Sequence, residues 1–125
     1  MRCAVTDDFP RRLSLKGDRD FKALFERGTS FQTRHVRVFF LGDGNLRIGF
    51  GVPKRIGKAA LRNLLKRRMR EIFRRNKSFF PEHGAVLFII RQPVDFTVLR
   101  QEMIYLGRRL IQYSRNLVQP VEFNS

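Results

Sequence analysis

KRIGKAALRNLLKRRMREIFRR, residues 54–75, combines a dense positive charge with a regular apolar pattern. Ten of its 22 residues are Lys or Arg, and only Glu71 is acidic. At about 100° per residue, the larger apolar side chains fall on one stripe of a helix. They are Leu61, Leu65, Met69, Ile72 and Phe73. The sequence therefore predicts a helix, from about Lys58 to Arg75, that packs on one side and carries charge on the other.

An adjacent arc of this helix, about 140° wide, carries much of the charge. The residues on the arc are Arg62, Asn63, Lys66, Arg67, Arg70 and Arg74. Clustered cations on a rigid helix are typical of a phosphate-binding surface, which points to nucleic acid. Glu71 is spaced to pair with Arg67, Arg74 or Arg75. We interpret it as a group that orients guanidinium groups rather than as a catalytic carboxylate.

The composition of the whole chain favours a polyanionic partner. The 125 residues carry a formal net charge of +15, and 42% of them are hydrophobic. Such a charge destabilises a compact fold by self-repulsion, which a bound polyanion would relieve. The length and apolar content predict a single domain over residues 1–125, with an ordered core from about 11 to 113 and flexible termini.

Several classes of function lack a signal in the sequence. Cys3 is the only cysteine, which excludes an internal disulfide and fits a cytoplasmic protein. No apolar run approaches the ~20 residues of a membrane span, so no membrane association is predicted. His35 and His83 have no metal-ligand spacing, and no catalytic constellation is present. We predict no catalytic residue and no metal ligand in this chain.

The segment before the basic stretch predicts a helix and a hairpin. The helix runs from about Asp18 to Arg27 and ends at Gly28, which suits a left-handed C-terminal cap. Strands are predicted at 36–41 and 46–52, joined by a turn at 42–45. In the first strand, one set of side chains should point one way and the alternate set the other. The two sets are His35, Arg37 and Phe39, and Val36, Val38 and Phe40.

The segment after the basic stretch predicts a strand and a final helix. Residues 85–90, AVLFII, suit a strand that is buried on both faces. A helix is predicted from Phe96 to about Tyr113, capped by Asp95, with fraying from Arg115. Its core stripe is Leu99, Met103, Leu106 and Leu110. The order of elements predicts an α+β fold, a small α/β sandwich in which the basic helix forms a crossover between strands, right-handed by default.

The chain contains 13 Phe residues and no Trp. Phe50, Phe73 and Phe88 are the clearest core candidates. Phe21, Phe25 and Phe39 have two interpretations: core packing, or a platform on which unpaired bases stack. The residues alone leave both open, with core packing favoured.

The basic stretch resembles the signature of the protein subunit of bacterial ribonuclease P, K-[KR]-x-G-x-A-x-x-R-N-x-x-K-R-x-x-R-E, which residues 54–71 match. The segments RLSLK at 12–16, DF at 20–21 and FERG at 25–28 are similar to the N-terminal region of that family. The resemblance covers roughly residues 11 to 113. It implies a ribosomal-protein-like α/β sandwich whose crossover is left-handed, in place of the default handedness.

The resemblance also implies a function. The protein would be the RNA-binding component of a ribonucleoprotein that removes the 5′ leader from precursor tRNA. Its partners would be ribonuclease P RNA, which is the catalyst and uses Mg²⁺, and the precursor tRNA; no obligatory protein partner is implied. The residues expected to face RNA are Lys54, Arg55, Lys58, Arg62, Asn63, Lys66, Arg67, Arg70 and Arg74. Phe21, Phe25 and Phe39 would line the cleft that takes the leader.

Three other functions remain as alternatives. A ribosomal protein or RNA chaperone of the same architecture would show no preference for a tRNA with a leader. A DNA-binding regulator would place the basic helix in a major groove, although no helix-turn-helix is evident. A protein-only nuclease would cleave without RNA, and no carboxylate cluster supports it.

Overall fold

The computed structural model describes Leu15 and residues 17–118, with side chains for residues 15, 21–42 and 44–115. The elements are α1 (Gly17–Arg27), β1 (Thr29–Gln32), β2 (Val36–Asn45), β3 (Arg47–Gly51), α2 (Ala59–Arg75), β4 (His83–Ile90) and α3 (Phe96–Val118). This order confirms the predicted mixture of helices and strands. The residues outside the described part are 1–10, which include Cys3, and 119–125, both predicted as flexible termini, together with residues 11–14 and 16 of the predicted core.

The four strands form one mixed sheet in the order β1-β2-β4-β3. β4 pairs antiparallel with β2 and parallel with β3. It contains the continuous apolar run AVLFII and lies within the sheet, and this run is buried on both faces as predicted except at Ile89, which is partly buried.

The predicted hairpin between β2 and β3 is wrong, because β4 lies between these strands. Residues 42–45, predicted as a turn, belong to the end of β2, where the register with β4 shifts between Leu41 and Asn45. The physical reason is burial. A continuous apolar strand gains most at the centre of a sheet, whereas β3 is short, contains Gly49 and Gly51, and occupies an edge.

The parallel pairing of β3 and β4 requires a crossover, and α2 lies in it. The basic helix therefore connects two neighbouring parallel strands, as its place in the sequence predicts. The left-handed sense of this crossover, which the family resemblance implies, stays a prediction.

One face of the sheet, which we call the closed face, forms the main core beneath α2 and α3. Its side chains are Val36, Val38, Phe40, Ile48, Val86, Phe88 and Ile90. The helices add Leu65, Met69, Ile72, Phe73, Leu99, Met103, Leu106 and Leu110. The predicted stripes are thereby confirmed, with one exception. Leu61 is 39% exposed, because in the first turn of α2 it packs against Gly57 rather than against the sheet.

The last helix has the predicted N-cap and extends beyond its predicted end. The Val98 backbone N–H donates to Asp95 Oδ1 at 2.9 Å. The helix continues to Val118, so the fraying predicted from Arg115 onward is wrong for residues 115–118. Tyr113 helps to hold this end on the sheet: its hydroxyl accepts a hydrogen bond of 2.6 Å from Thr29 Oγ1, and its ring packs edge-on against Phe31.

Gly28 ends α1 for a reason other than the predicted left-handed cap. Within the described residues, the glycines with positive φ are Gly44 and Gly84. Gly28 instead permits a close approach, since a Cβ there would lie 2.5 Å from the Leu24 carbonyl oxygen. Its backbone N–H donates to that oxygen at 2.9 Å and closes the last turn. No helix in the described part of the chain has the length and apolar character needed to cross a membrane.

Candidate nucleic-acid interface

The second face of the sheet, which we call the open face, is covered only in part. It presents Arg37, Phe39, Leu41, Ala85, Leu87 and Ile89. α1 covers its middle with Leu24, which is fully buried against Ala85 and Leu87. Beyond α1 the edge strand β3 contributes Gly49 and Gly51, opposite Leu87 and Ile89. Leu15 packs over Gly49, where a Cβ would lie 2.9 Å from Leu15 Cδ1, whereas no side chain packs closely over Gly51, so the corner of the sheet at Gly51 stays open.

An open cavity of about 490 Å³ lies at this corner, and we call it the cleft. Phe21 and Phe25 of α1 line one side, and Leu87 and Ile89 lie in its floor beside the two glycines. Phe50, predicted as core, is only partly buried: it stacks on Phe88 at 6.3 Å and also borders the cleft. The walls are mainly apolar and aromatic, a surface that suits unstacked nucleobases.

The three aromatic residues predicted for a leader cleft lie together. The Phe25 side chain is 54% exposed, and its ring meets the Phe39 ring edge-on with centroids 4.9 Å apart. Phe21 and Phe25 line the cleft itself, whereas Phe39 adjoins it through Phe25. A large aromatic side chain that stays half exposed is available to stack on a ligand.

Arg37 is a site residue that is not among those predicted from the sequence. Its Cζ lies 4.6 Å from the centroid of the Phe39 ring, a cation–π contact. Its Nη2 also donates to Ser30 Oγ at 3.4 Å. The strand alternation already placed Arg37 and Phe39 on one side of β2. That signal was sufficient to propose an arginine beside the aromatic cluster.

The charged arc of α2 is accessible along most of its length. Asn63, Arg67 and Arg70 are exposed, and Arg62 and Lys66 are partly buried. Ahead of the helix, exposed positions continue the same charge: Lys54, Arg55 and Lys58. The guanidinium group of Arg62 is oriented by a hydrogen bond, since its Nε donates to the Gly57 carbonyl oxygen at 3.1 Å.

The N-terminus of α2 is itself electropositive. Lys58 occupies the N-cap position and its side chain makes no capping hydrogen bond, and the first turn contains no acidic residue. The unpaired N–H groups of a helix N-terminus carry partial positive charge, which an anion stabilises. Lysine at such an end is unfavourable without an anion, so this end of α2 adds to the attraction for phosphate.

Glu71 orients two guanidinium groups at the other end of α2. Arg74 Nη2 donates to Glu71 Oε2 at 2.6 Å, and Arg75 Nε donates to the same oxygen. The hydrogen bond from Arg74, followed by that from Arg75, holds the pKa of Glu71 below its ordinary value. This confirms two of the three predicted pairings and not the one with Arg67. Arg74, predicted to face RNA, is therefore partly buried and ion-paired within the helix.

Arg70 joins the two surfaces. It is an exposed member of the charged arc of α2, and it also lines the cleft beside Gly51 and Pro53. Pro53 leads directly into Lys54 and Arg55. The apolar cleft and the basic helix therefore form one continuous surface.

His35 and Glu102 pair with each other, and neither lines the cleft. His35 Nδ1 lies 2.7 Å from Glu102 Oε2, and the Thr33 hydroxyl donates to Glu102 Oε1. Residues 15, 21–42 and 44–115 contain no group of three or more His, Cys, Asp or Glu side chains able to hold a metal ion.

Comparison with known proteins identifies the family. The model of the Ribonuclease P family matches residues 9–111. The chain belongs to the ribonuclease P protein family. Its members are components of a ribonucleoprotein nuclease that processes tRNA, and the resemblance read from residues 54–71 is confirmed.

Individual relatives agree with this assignment. The ribonuclease P protein component of Thermotoga maritima is 37% identical over 115 residues, which cover 85% of this chain and 98% of the relative. That of Thermus thermophilus is 51% identical over 101 residues, 78% of this chain and 59% of the relative. A solved structure of the Thermotoga maritima protein superposes with a TM-score of 0.70 at 37% identity, covering 77% of this chain and 96% of that one.

Proposed function

We propose that the chain binds the catalytic RNA of ribonuclease P through α2 and binds the 5′ leader of precursor tRNA in the cleft. One observation carries the proposal: Arg70 belongs to the charged arc of α2 and also lines the cleft. A single rigid helix thus contacts both RNAs, and the leader strand is held at a fixed position relative to the catalytic RNA.

The charged arc neutralises phosphates of the catalytic RNA. Guanidinium groups form paired, charge-assisted hydrogen bonds with phosphate, and the exposed Arg67 is free of the Glu71 ion pairs. Lys54, Arg55 and Lys58 extend the contact toward the electropositive helix N-terminus. Neutralisation of closely packed phosphates also lowers the concentration of Mg²⁺ that the RNA needs to fold and react.

The cleft binds the leader as a single strand. Phe21 and Phe25 offer ring faces to unpaired bases, and Arg70 lines the cleft and contacts the phosphates. Arg37 adds a cation beside this surface, against the Phe39 ring. Every base has a stacking face, so binding tolerates many leader sequences. Because mature tRNA has no leader, these contacts raise affinity for the precursor alone.

We assign the chemical step to the RNA subunit and its divalent metal ions, as the family resemblance implies. Glu71 and Glu102 are each occupied by hydrogen bonds within the protein, and we give them structural roles. The protein contributes by positioning: it holds the leader, and with it the cleavage site, against the catalytic RNA. Its expected compartment is the cytoplasm.

Reconstitution tests the proposal. A bacterial ribonuclease P RNA is incubated with precursor tRNA at low Mg²⁺, with and without the protein, beside the protein alone. We expect cleavage only when RNA and protein are both present. If the protein binds RNA tightly but does not restore cleavage at low Mg²⁺, a ribosomal or chaperone role would be favoured. Cleavage by the protein alone would overturn the assignment of chemistry to the RNA.

Two variants separate the two surfaces. Replacing Phe21 and Phe25 with Ala should narrow the affinity gap between precursor and mature tRNA about tenfold or more and leave the affinity for the catalytic RNA unchanged. Replacing Arg67 with Gln should weaken binding to the catalytic RNA and leave the affinity gap between precursor and mature tRNA unchanged. An unchanged gap in a folded Phe21→Ala/Phe25→Ala protein would contradict the leader-binding role of the cleft.

A further inference from the structure

The outer face of α3 carries a second cluster of arginines, remote from the cleft in the fold. Arg100, Arg108, Arg109 and Arg115 are exposed. The only acidic residue of this helix, Glu102, turns toward the β1–β2 connection and binds Thr33 and His35. Among the described side chains, none of the four arginines forms an ion pair with a carboxylate. Within the part of the chain that the structure describes, no carboxylate pairs with the charge of this face.

Arg109 is held in place by aromatic residues. Its Cζ lies 4.4 Å from the centroid of the Phe31 ring, and its Nη1 donates to the Tyr105 hydroxyl at 3.0 Å. A guanidinium fixed by a ring and a hydrogen bond loses little further freedom when it binds an anion. The Tyr105 side chain remains 49% exposed, so much of it is accessible beside a pre-oriented cation.

A shallow depression of about 470 Å³ lies over these side chains. Its lining includes Arg100, Gln101, Tyr105, Arg108, Arg109 and Gln112. Guanidinium groups bind phosphate, an exposed tyrosine ring stacks on a base, and glutamine amides hydrogen-bond to base edges. This combination fits an unpaired RNA strand. It does not fit an apolar protein segment, because the depression contains three arginines.

The position of this face indicates which RNA it meets. α3 packs on the closed face of the sheet, whereas the cleft lies on the open face. A leader seated in the cleft is therefore separated from the outer face of α3 by the sheet and by the helix itself. Resting on the proposed function, we infer that Tyr105, Arg108 and Arg109 bind an unpaired segment of the RNA subunit, separate from the segment that α2 contacts.

Binding measurements on the full chain test this inference. The affinity for the RNA subunit, without substrate, is measured over a series of salt concentrations for wild type and Tyr105→Ala/Arg108→Gln. Both side chains are exposed, so the fold should persist, as circular dichroism will check. At fixed salt we expect about tenfold weaker binding. The slope of the logarithm of the binding constant against the logarithm of the salt concentration should be smaller in magnitude by about 0.7, for the lost phosphate contact. Lys22→Gln, which removes one exposed charge from α1, is the matched control.

A tethered probe locates the contact. A hydroxyl-radical source is attached at Gln112→Cys, or at Leu61→Cys on α2, in a chain that also carries Cys3→Ser. The Gln112 probe should cut the RNA subunit at positions distinct from those cut from Leu61. Cuts confined to the tRNA, or no cuts together with unchanged affinity and salt slope, would overturn the inference. If Arg67→Gln weakens binding and the α3 variant does not, this inference alone fails; if neither variant weakens binding, the proposed function fails with it.

Discussion

The two faces of the sheet are covered to very different extents. The closed face packs against helices of 17 and 23 residues and contains the largest fully buried side chains. The open face packs against α1, a helix of 11 residues, and ends in glycines beneath a cleft of about 490 Å³. This small domain therefore concentrates its stability on one face of the sheet and leaves apolar surface on the other face for a ligand.

The helices are also attached differently. α3 is joined to the sheet by two side-chain hydrogen-bond groups, Thr29 with Tyr113 and Glu102 with Thr33 and His35. Among the described side chains of α1, residues 21–27, none forms a hydrogen bond, and Phe21 and Leu24 contact the sheet through apolar packing. Substitutions on the two faces should therefore differ in whether they change stability or binding.

The largest expected effect is on the closed face. Phe88→Ala removes a fully buried ring from β4 and should lower the free energy of unfolding by about 3–5 kcal/mol, through lost burial and the cavity left behind. Phe25→Ala, the matched aromatic change on the open face, should cost less than about 1 kcal/mol, because that side chain is half exposed. Urea unfolding monitored by circular dichroism measures both. Equal losses would show that the open face is as important for stability as the closed face.

A smaller effect is expected where α3 joins the sheet. In Glu102→Gln, one carboxylate oxygen that faces His35 Nδ1 becomes an amide group, and the charge that strengthens the bonds from Thr33 and His35 is lost. We expect a loss of about 1–3 kcal/mol in the free energy of unfolding, with leader binding unchanged. Thr33→Val is a second route to the same network. A neutral result for both variants would show that apolar packing alone holds α3.

The same carboxyl makes stability depend on pH. Burial raises the pKa of Glu102, but hydrogen bonds from Thr33 and His35 outweigh it and leave the pKa below its ordinary value. A carboxyl whose pKa is lowered by folding stabilises the native state above its unfolded pKa of about 4.3, and the contribution is lost as pH falls through the folded value. As the pH falls below about 5, wild type should therefore lose more stability than Glu102→Gln. Equal losses of stability in the two proteins would contradict the assignment of this pH dependence to Glu102.

The helices of the closed face were readable from the sequence because their packing repeats locally. The stripe through Leu99, Met103 and Leu106 has the period of a helix, and Asp95 marks its start. The order of the strands was not readable in this way. Nothing in the sequences of β2 and β3 indicates that β4 lies between them in the sheet, because β4 comes after the 17 residues of α2. A pairing between distant segments leaves no local periodicity.

The candidate site likewise has one part that the sequence predicts and another part that it does not. The charged arc of α2 follows from helical spacing alone, and the alternation along β2 placed Arg37 beside Phe39. The floor of the cleft does not follow from either. Gly51 matters because the parallel register sets it opposite Ile89, and that register exists only in the assembled sheet. Arg70 likewise reaches the cleft only because α2 crosses next to the edge strand.

Substitutions of Gly51, in the floor of the cleft, are the most selective test of the difference between the two faces. A Cβ at Gly51 would meet Ile89 Cγ1 at 3.6 Å and the Phe88 carbonyl oxygen at 4.0 Å, which are ordinary contacts, and the backbone φ of Gly51 is not positive. Gly51→Ala should therefore be tolerated, and Gly51→Leu should extend its side chain into the cleft. We expect Gly51→Leu to weaken precursor tRNA binding by the holoenzyme about tenfold, about 1.4 kcal/mol, with little change in stability.

The graded pair separates filling of the cleft from damage to the sheet. If the cleft holds the leader, precursor affinity should fall from wild type through Gly51→Ala to Gly51→Leu, while affinity for mature tRNA and for the RNA subunit stays constant. A loss shared by mature tRNA would instead indicate that β3 has shifted and displaced α2. Unchanged precursor affinity in a folded Gly51→Leu protein would place the leader elsewhere, because Phe21, Phe25 and Gly51 line the same cleft.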